Sequence, residues 1–385
     1  MDAWKRTLGE VAHRLEKHVD RARERVADAF PADRNDVRIE AYRGYGTERR
    51  LYLKGRVLRG SVVPEAGEGD NVLLNLANMI QRFESDEVPG ARVLARYFGQ
   101  EWSTTTDEEG YFEMWLELAE PVVAGALWHE VELELPGRAG RDGEPVKSTA
   151  QVLVPPAGAQ FGVISDIDDT VVRTGAATPL VMARTVFLGN ARTRVPFPGV
   201  AAFYGALQHG TGRSDFNPLF YVSSSPWNLY GLLTEFLTLR KIPLGPLMLR
   251  DWGINEREVL PVGHAGHKLE AIRNIMELYP DLPFILLGDS GQEDPEIYHR
   301  VVHDHPSRIL AVYIRSAHPA PDRAAAVRRL AEEVERAGST LLLTDDTVAA
   351  AEHAATRGWI PAEALPLVRE ERAEDKAAPP PAADG

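Results

Sequence analysis

The 385-residue chain contains no cysteine. That excludes disulfide bracing, thiolate nucleophiles and cysteine-ligated zinc. No stretch approaches the ~18 uninterrupted apolar residues of a membrane-spanning helix. Positive charge is also in deficit, with a formal net charge of -14. Nucleic acid is therefore not an expected partner, because such binding draws on a basic surface. Charge alone would not hold the chain on an anionic membrane either. What remains is the composition of a soluble globular protein, 44% hydrophobic and 26% charged. Met1-Asp2-Ala3-Trp4-Lys5-Arg6 leads into a charged helical pattern rather than an apolar signal core. A cytoplasmic location is the expectation.

The length has room for about two cores. In residues 1–30, Trp4, Leu8, Val11, Leu15, Val19, Ala22 and Val26 recur at spacings of four and three. This is one stripe of an amphipathic helix. Within the next unit, residues 31–157, residues 36–155 alternate with period two: Phe112, Met114, Leu116 and Leu118 face one way, Glu113 and Glu117 the other. Asp70–Glu84 interrupts this with helical spacing. Short alternating strands predict a small antiparallel β-sandwich, read as a binding or structural accessory domain.

Past the linker Pro155-Pro156-Ala157-Gly158-Ala159-Gln160 the period changes. Apolar runs recur at Phe161–Ile164, Pro218–Val222, Leu244–Leu249, Phe284–Leu287, Ile309–Ile314 and Thr340–Leu343. Helical patterns lie between most of them, including His267–Leu278 and Asp322–Ala337. Strands alternating with helices predict an α/β domain with a parallel sheet over residues 158–368. Residues 369–385, charged and then Ala/Pro-rich, read as a disordered tail.

Polar residues that carry chemistry gather where these strands end, the edge at which open α/β sheets bind ligands. The first run leads into Asp166-Ile167-Asp168-Asp169-Thr170. Asp166 and Asp168 point the same way while the chain is extended, and like charges so close favour a hard cation. The second run ends in Ser223-Ser224-Ser225-Pro226, hydroxyls able to cradle an anion. Lys268 opens a helix after Gly263-His264-Ala265-Gly266-His267, a position unfavourable with the helix dipole unless an anion is near. The fourth run ends Gly288-Asp289-Ser290-Gly291-Gln292-Glu293-Asp294-Pro295. Carboxylates, hydroxyls and a lysine at one sheet edge make a phosphate-plus-Mg²⁺ site.

Each signal has a plainer reading. Asp residues at a strand end cap helices, serines do the same, and a loop with two histidines is usually only a loop. Thr344-Asp345-Asp346-Thr347 also follows an apolar run, but has no acidic residue at 344, so Asp345 or Asp346 is read as an N-cap. Phe197, Trp227 and Trp252 are read as core residues, with a lip for an acyl chain as the alternative.

Together, the order and local sequences resemble the haloacid dehalogenase superfamily of phosphotransferases. Asp166, Asp168 and Thr170 match its first motif, Ser223 its second, Lys268 its third, and Asp289 with Asp294 its fourth. The strings SDIDDTVVRTG, YVSSSPWNLY, GHK and GDSGQEDPEIY narrow this to the lipin-related App1-type phosphatidate phosphatase catalytic-domain family. The resemblance implies a Rossmann-like domain that hydrolyses phosphatidate to diacylglycerol with Mg²⁺. It implies Asp166 as nucleophile, Asp168 as acid and base, and Ser223, Ser224 and Lys268 on the phosphoryl oxygens. It implies a metal site of Asp166, Asp168, Asp289 and Asp294, with Asp294 acting through water. The short span between Thr170 and Leu219 leaves room only for a small helical insertion, hence an open site. Peripheral membrane contact follows from a lipid substrate. Two alternatives remain: a phosphatase for soluble phosphomonoesters or phosphoproteins, and a phosphatidate-sensing module.

Overall fold

The computed structural model describes residues 37–59, 86–123, 125–140, 143–167, 170–171, 197–212, 216–250, 264–316 and 321–377. The helices expected over 1–30 and 70–84 lie outside these, as do residues 172–196 of the insertion expected between Thr170 and Leu219, and Asp168, Trp252 and Gly263.

Nine strands come first: β1 Val37–Ala41, β2 Gly44–Thr47, β3 Arg50–Arg59, β4 Asp86–Glu87, β5 Arg92–Tyr97, β6 Gln100–Thr105, β7 Tyr111–Glu117, β8 Trp128–Ala139 and β9 Pro145–Leu153. They join in one sheet, with main order β1-β3-β2-β9-β8-β5-β6 and with β4 and β7 on β3. Every pairing is antiparallel except β2 with β9, which is parallel. The period-two reading holds: Leu51, Leu53, Leu116, Val131 and Leu133 are buried in one cluster while Glu113 and Glu117 are exposed. The opposite face of β3 is not simply polar. It presents Tyr52, Lys54 and Arg56, of which Arg56 is buried.

The second sheet alternates with helices. In chain order these are β10 Gly162–Ser165, α1 Val200–His209, β11 Leu219–Pro226, α2 Tyr230–Leu239, β12 Leu247–Arg250, α3 His264–Leu278, β13 Phe284–Asp289, α4 Asp294–Asp304, β14 Ile309–Arg315, α5 Pro321–Arg336, β15 Leu341–Thr344, α6 Thr347–Thr356 and α7 Leu365–Ala377. All six strands are parallel, in the order β12-β11-β10-β13-β14-β15. Each grows from one of the six apolar runs. β10 and β13 are buried throughout, as strands covered on both faces must be. The order steps outward from β10 to β12, then restarts at β13. The chain thus leaves β10 and β13 toward opposite sides, and a crevice opens between their carboxyl ends.

Three expectations are corrected. The tail is not disordered from 369, because α7 runs to Ala377. Its Val368 is fully buried, Glu371 accepts from the Ala202 N–H at 2.5 Å, and Asp375 accepts from the Gly199 N–H at 2.9 Å. α1 begins after Gly199, which has no capping side chain, so these carboxylates serve the open helix start instead. Lys268 is also not at a helix start: α3 begins at His264, and Lys268 sits in its second turn. Finally, the second strand does not stop at Val222. β11 continues through the serines to Pro226, with a register shift against β12.

The two sheets share their cores. Tyr42 and Tyr111 lie in the cluster around α1 and α2, and Tyr45 and Leu153 in the cluster under α3. Tyr42 stacks on Trp227, ring centroids 4.6 Å apart, and Arg56 donates to Asn228 Oδ1 at 3.0 Å. The Arg43 N–H donates to the Tyr230 hydroxyl at 2.7 Å, and the Tyr279 hydroxyl to the Gly46 carbonyl at 3.0 Å.

Candidate active site

Asp166 follows β10 directly, and its N–H donates to Leu287 O at 2.9 Å, which continues the pairing with β13. Asp289 closes β13. Carboxylate oxygens of Asp166, Asp289 and Asp294 all lie within 4.8 Å of one another. Asp166, Asp289 and Asp294 have no exposed surface, and Lys268 has 3%. Lys268 Nζ stands 2.9 Å from Asp166 Oδ1 and 2.7 Å from Asp294 Oδ1. Burial alone would lower the Lys268 pKa, but the charges of Asp166 and Asp294 reverse this and hold it raised. The ammonium is thus permanently charged at neutral pH.

Asp294, in the first turn of α4, has both oxygens engaged. Oδ1 takes Lys268, and Oδ2 accepts the Asp289 N–H at 3.2 Å. It therefore acts chiefly by fixing Lys268 and the end of β13. Gly288 makes this possible: a Cβ there would lie 2.6 Å from Asp294 Oδ2 and 2.7 Å from the Tyr298 ring. The Tyr298 hydroxyl donates to Leu287 O at 2.9 Å, which accounts for the tyrosine that ends GDSGQEDPEIY. Asp289 Oδ1 accepts from the Gln292 N–H at 3.1 Å and from the Gly291 N–H, folding the loop over the strand end.

Three carboxylates against one ammonium leave excess negative charge out of water, an arrangement that costs several kcal/mol unless neutralised. The donors are all hard oxygens, the set that suits Mg²⁺. The residues present therefore fit such an ion.

The neighbouring strand brings in Ser223. In register, Ser165 faces Tyr221, so Asp166 is level with Val222 and Ser223 lies one step beyond. Ser223 is fully buried and its Oγ accepts from the Ser225 N–H at 2.9 Å. Ser224, the next residue along the strand, is half-buried with its hydroxyl oxygen buried. Thr170 Oγ1 donates to Asp166 Oδ2 at 3.4 Å. The structure thus gathers Asp166, Asp289, Asp294 and Lys268 directly and sets Ser223 on the adjoining strand.

Other expectations resolve differently. His267 is half-buried, its ring against the Met248 carbonyl rather than among the carboxylates. Phe197 and Trp227 are core residues, and the Arg315 guanidinium covers the Phe197 ring. Asp346 is an N-cap, accepting the Val348 N–H at 3.1 Å. Two supports had no local sequence signal. Tyr204 bonds Ser165 Oγ at 2.7 Å, and Ser165 Oγ donates to the Asp166 carbonyl at 2.6 Å. Arg323 of α5 donates to the Ser290 and Gln292 carbonyls, pinning the loop after Asp289.

Comparison with known proteins converges on the same segment. Residues 161–316 match the family profile described as the catalytic domain of phosphatidate phosphatase APP1. Over 156 residues the chain is 37% identical to phosphatidate phosphatase APP1 of Saccharomyces cerevisiae, covering 40% of this chain and 26% of that protein. It is 30% identical over 158 residues to an uncharacterized protein of Schizosaccharomyces pombe, covering 40% of this chain and 25% of that one. The chain thus spans about a quarter of the length of these curated relatives. A carbohydrate acetylesterase from Xanthomonas citri aligns over 76% of this chain and 72% of its own, at 12% identity and a TM-score of 0.24, too low to carry an argument.

Proposed function

We propose, from the premise that residues 161–316 belong to the APP1 catalytic-domain family, that the chain is a Mg²⁺-dependent phosphatidate phosphatase of haloacid dehalogenase type. The observation that carries this is the buried Asp166–Lys268–Asp294 ion cluster beside Asp289, at the crevice of the parallel sheet and inside the matched segment.

Asp166 attacks phosphorus in line, and the bond from phosphorus to the diacylglycerol oxygen breaks. Asp168, which lies outside the described residues, gives that oxygen its proton. Asp168 then takes a proton from water, the water oxygen bonds phosphorus, and the bond from phosphorus to Asp166 breaks. Acid–base help of this kind is worth about 10²–10⁴ in rate. Lys268 keeps Asp166 ionised and oriented, and with Ser223 and Ser224 it offers donors to the phosphoryl oxygens. A Mg²⁺ ion held by Asp166, Asp168 and Asp289, with Asp294 behind them, would offset charge between nucleophile and phosphate.

A lipid substrate requires peripheral contact with a membrane. No helix among the described residues is long and apolar enough to cross one.

The test is Mg²⁺-dependent phosphate release from phosphatidate in mixed micelles, beside a panel of soluble phosphomonoesters, for the wild type and Asp166→Asn. Release from phosphatidate that needs Mg²⁺ and vanishes in the variant is expected. Release only from soluble esters would discard the lipid and keep the chemistry. Binding of phosphatidate without release from any ester would make the chain a sensor.

A further inference from the structure

A cavity of about 290 Å³ lies where the edge strand β12 meets the antiparallel sheet. Its walls include Tyr42, Tyr45 and Lys54 from one side and Trp227, Leu249 and His267 from the other. Resting on the phosphatase reading above, we propose that this cavity receives the ester-bearing apolar limb of the substrate while its phosphate sits at Asp166. The nine-stranded sheet would then be half of the substrate site.

Position argues for it first. Ser165, Tyr221 and Leu247 are successive register partners across β10, β11 and β12. Leu247 therefore lies level with Ser165, and Met248 with Asp166, two strands along. At ~4.8 Å per strand the separation from the nucleophile is about 10 Å, within reach of one extended substrate.

Shared elements are the second argument. His267 on the cavity wall and Lys268, whose ammonium reaches Asp166, belong to the same turn of α3. Trp227 on the wall follows the serine stretch directly, separated from it only by Pro226.

The chemistry is the third. Rings and aliphatic side chains suit a hydrocarbon chain, and the polar groups on the same walls, Glu270 and Asn274 of α3 among them, suit its ester oxygens and the water at its mouth. Lys54 Nζ lies 5.2 Å from the Trp227 ring centroid and 5.5 Å from that of Tyr111, so its ammonium stands among the aromatic walls. Arg43 is a second donor on the same wall. The mechanism at Asp166 uses none of these side chains except as neighbours.

The experiment uses the full chain and two variants. Ala271→Trp places bulk into the cavity from α3, where Ala271 is only half-buried. Lys54→Met removes the cation and keeps the stem. Initial rates are measured on dioctanoyl phosphatidate and on glycerol 3-phosphate. Each variant is expected to lower the phosphatidate-to-glycerol-phosphate ratio of kcat/KM by about tenfold or more. A second measurement does not depend on turnover. Phosphatidate with brominated acyl chains, bound to Asp166→Asn, should quench a fluorescence component that Trp227→Phe removes. An unchanged ratio in both variants, or binding without that quenching, would overturn the cavity proposal. Quenching in a chain that hydrolyses no ester would keep the cavity and sink the phosphatase reading.

Discussion

Lys268 is the residue on which the site's electrostatics turn. It is 3% exposed and touches two fully buried carboxylates. Removing one partner of a buried ion pair costs about 3–5 kcal/mol, because the remaining charge is left uncompensated. Lys268→Met should lower stability by that order in urea unfolding, and Mg²⁺ should restore part of the loss; a midpoint unmoved by either change would contradict the arrangement. A lysine whose pKa rises on folding lends stability that is complete below its unfolded value, about 10.4, and lost only above it. The pair therefore holds across the neutral range. At this scale the sequence was most legible. Asp166, Asp289 and Ser223 follow short apolar runs of buried-strand length, and each run is part of a strand. The place of Lys268 within α3 was not legible, since Gly266 hid the helix start three residues upstream of His267. Nor was the division of labour at Asp294, which depends on donors from two other elements.

At the level of elements, α7 shows what composition conceals. Residues 369–377 are charged and carry almost no apolar face, which reads as a solvated tail. Yet Glu, Arg, Ala and Lys are good helix formers, and one buried Val368 with two carboxylates on the start of α1 is enough to dock them. A chain ending at Ala364 loses this burial and both caps, so its stability should fall by about 2–4 kcal/mol. Equal unfolding midpoints for the two chains would show that α7 does not support α1. The join between the sheets was equally hidden. Arg56 and Asn228 are 172 positions apart, and no local period marks such a pair. The one available signal was the row Tyr52, Lys54 and Arg56 on the face of β3 that alternation would assign to solvent.

Over the whole molecule the two sheets are bound by shared core, so the strap of aromatic residues between them belongs to both. The burial pattern also sets a pH response. Burial, the largest influence in each case, lowers the pKa of His129, His267 and His353. The unfolded chain then binds more protons than the folded one below about pH 6.5, so stability is complete above that value and declines as pH falls through the lower folded values. The melting temperature should drop as pH falls from about 7.5 to about 5.5, and less steeply in His267→Gln. A flat profile would mean that these rings titrate alike in both states.

The most direct measurement concerns the crevice itself. The protein is incubated with phosphatidate and Mg²⁺ and quenched in acid, and its peptides are mapped by mass spectrometry. The account predicts a phosphate adduct on the peptide that carries Asp166, absent from Asp166→Asn. An adduct on another residue, or steady phosphate release with no adduct at all, would contradict it.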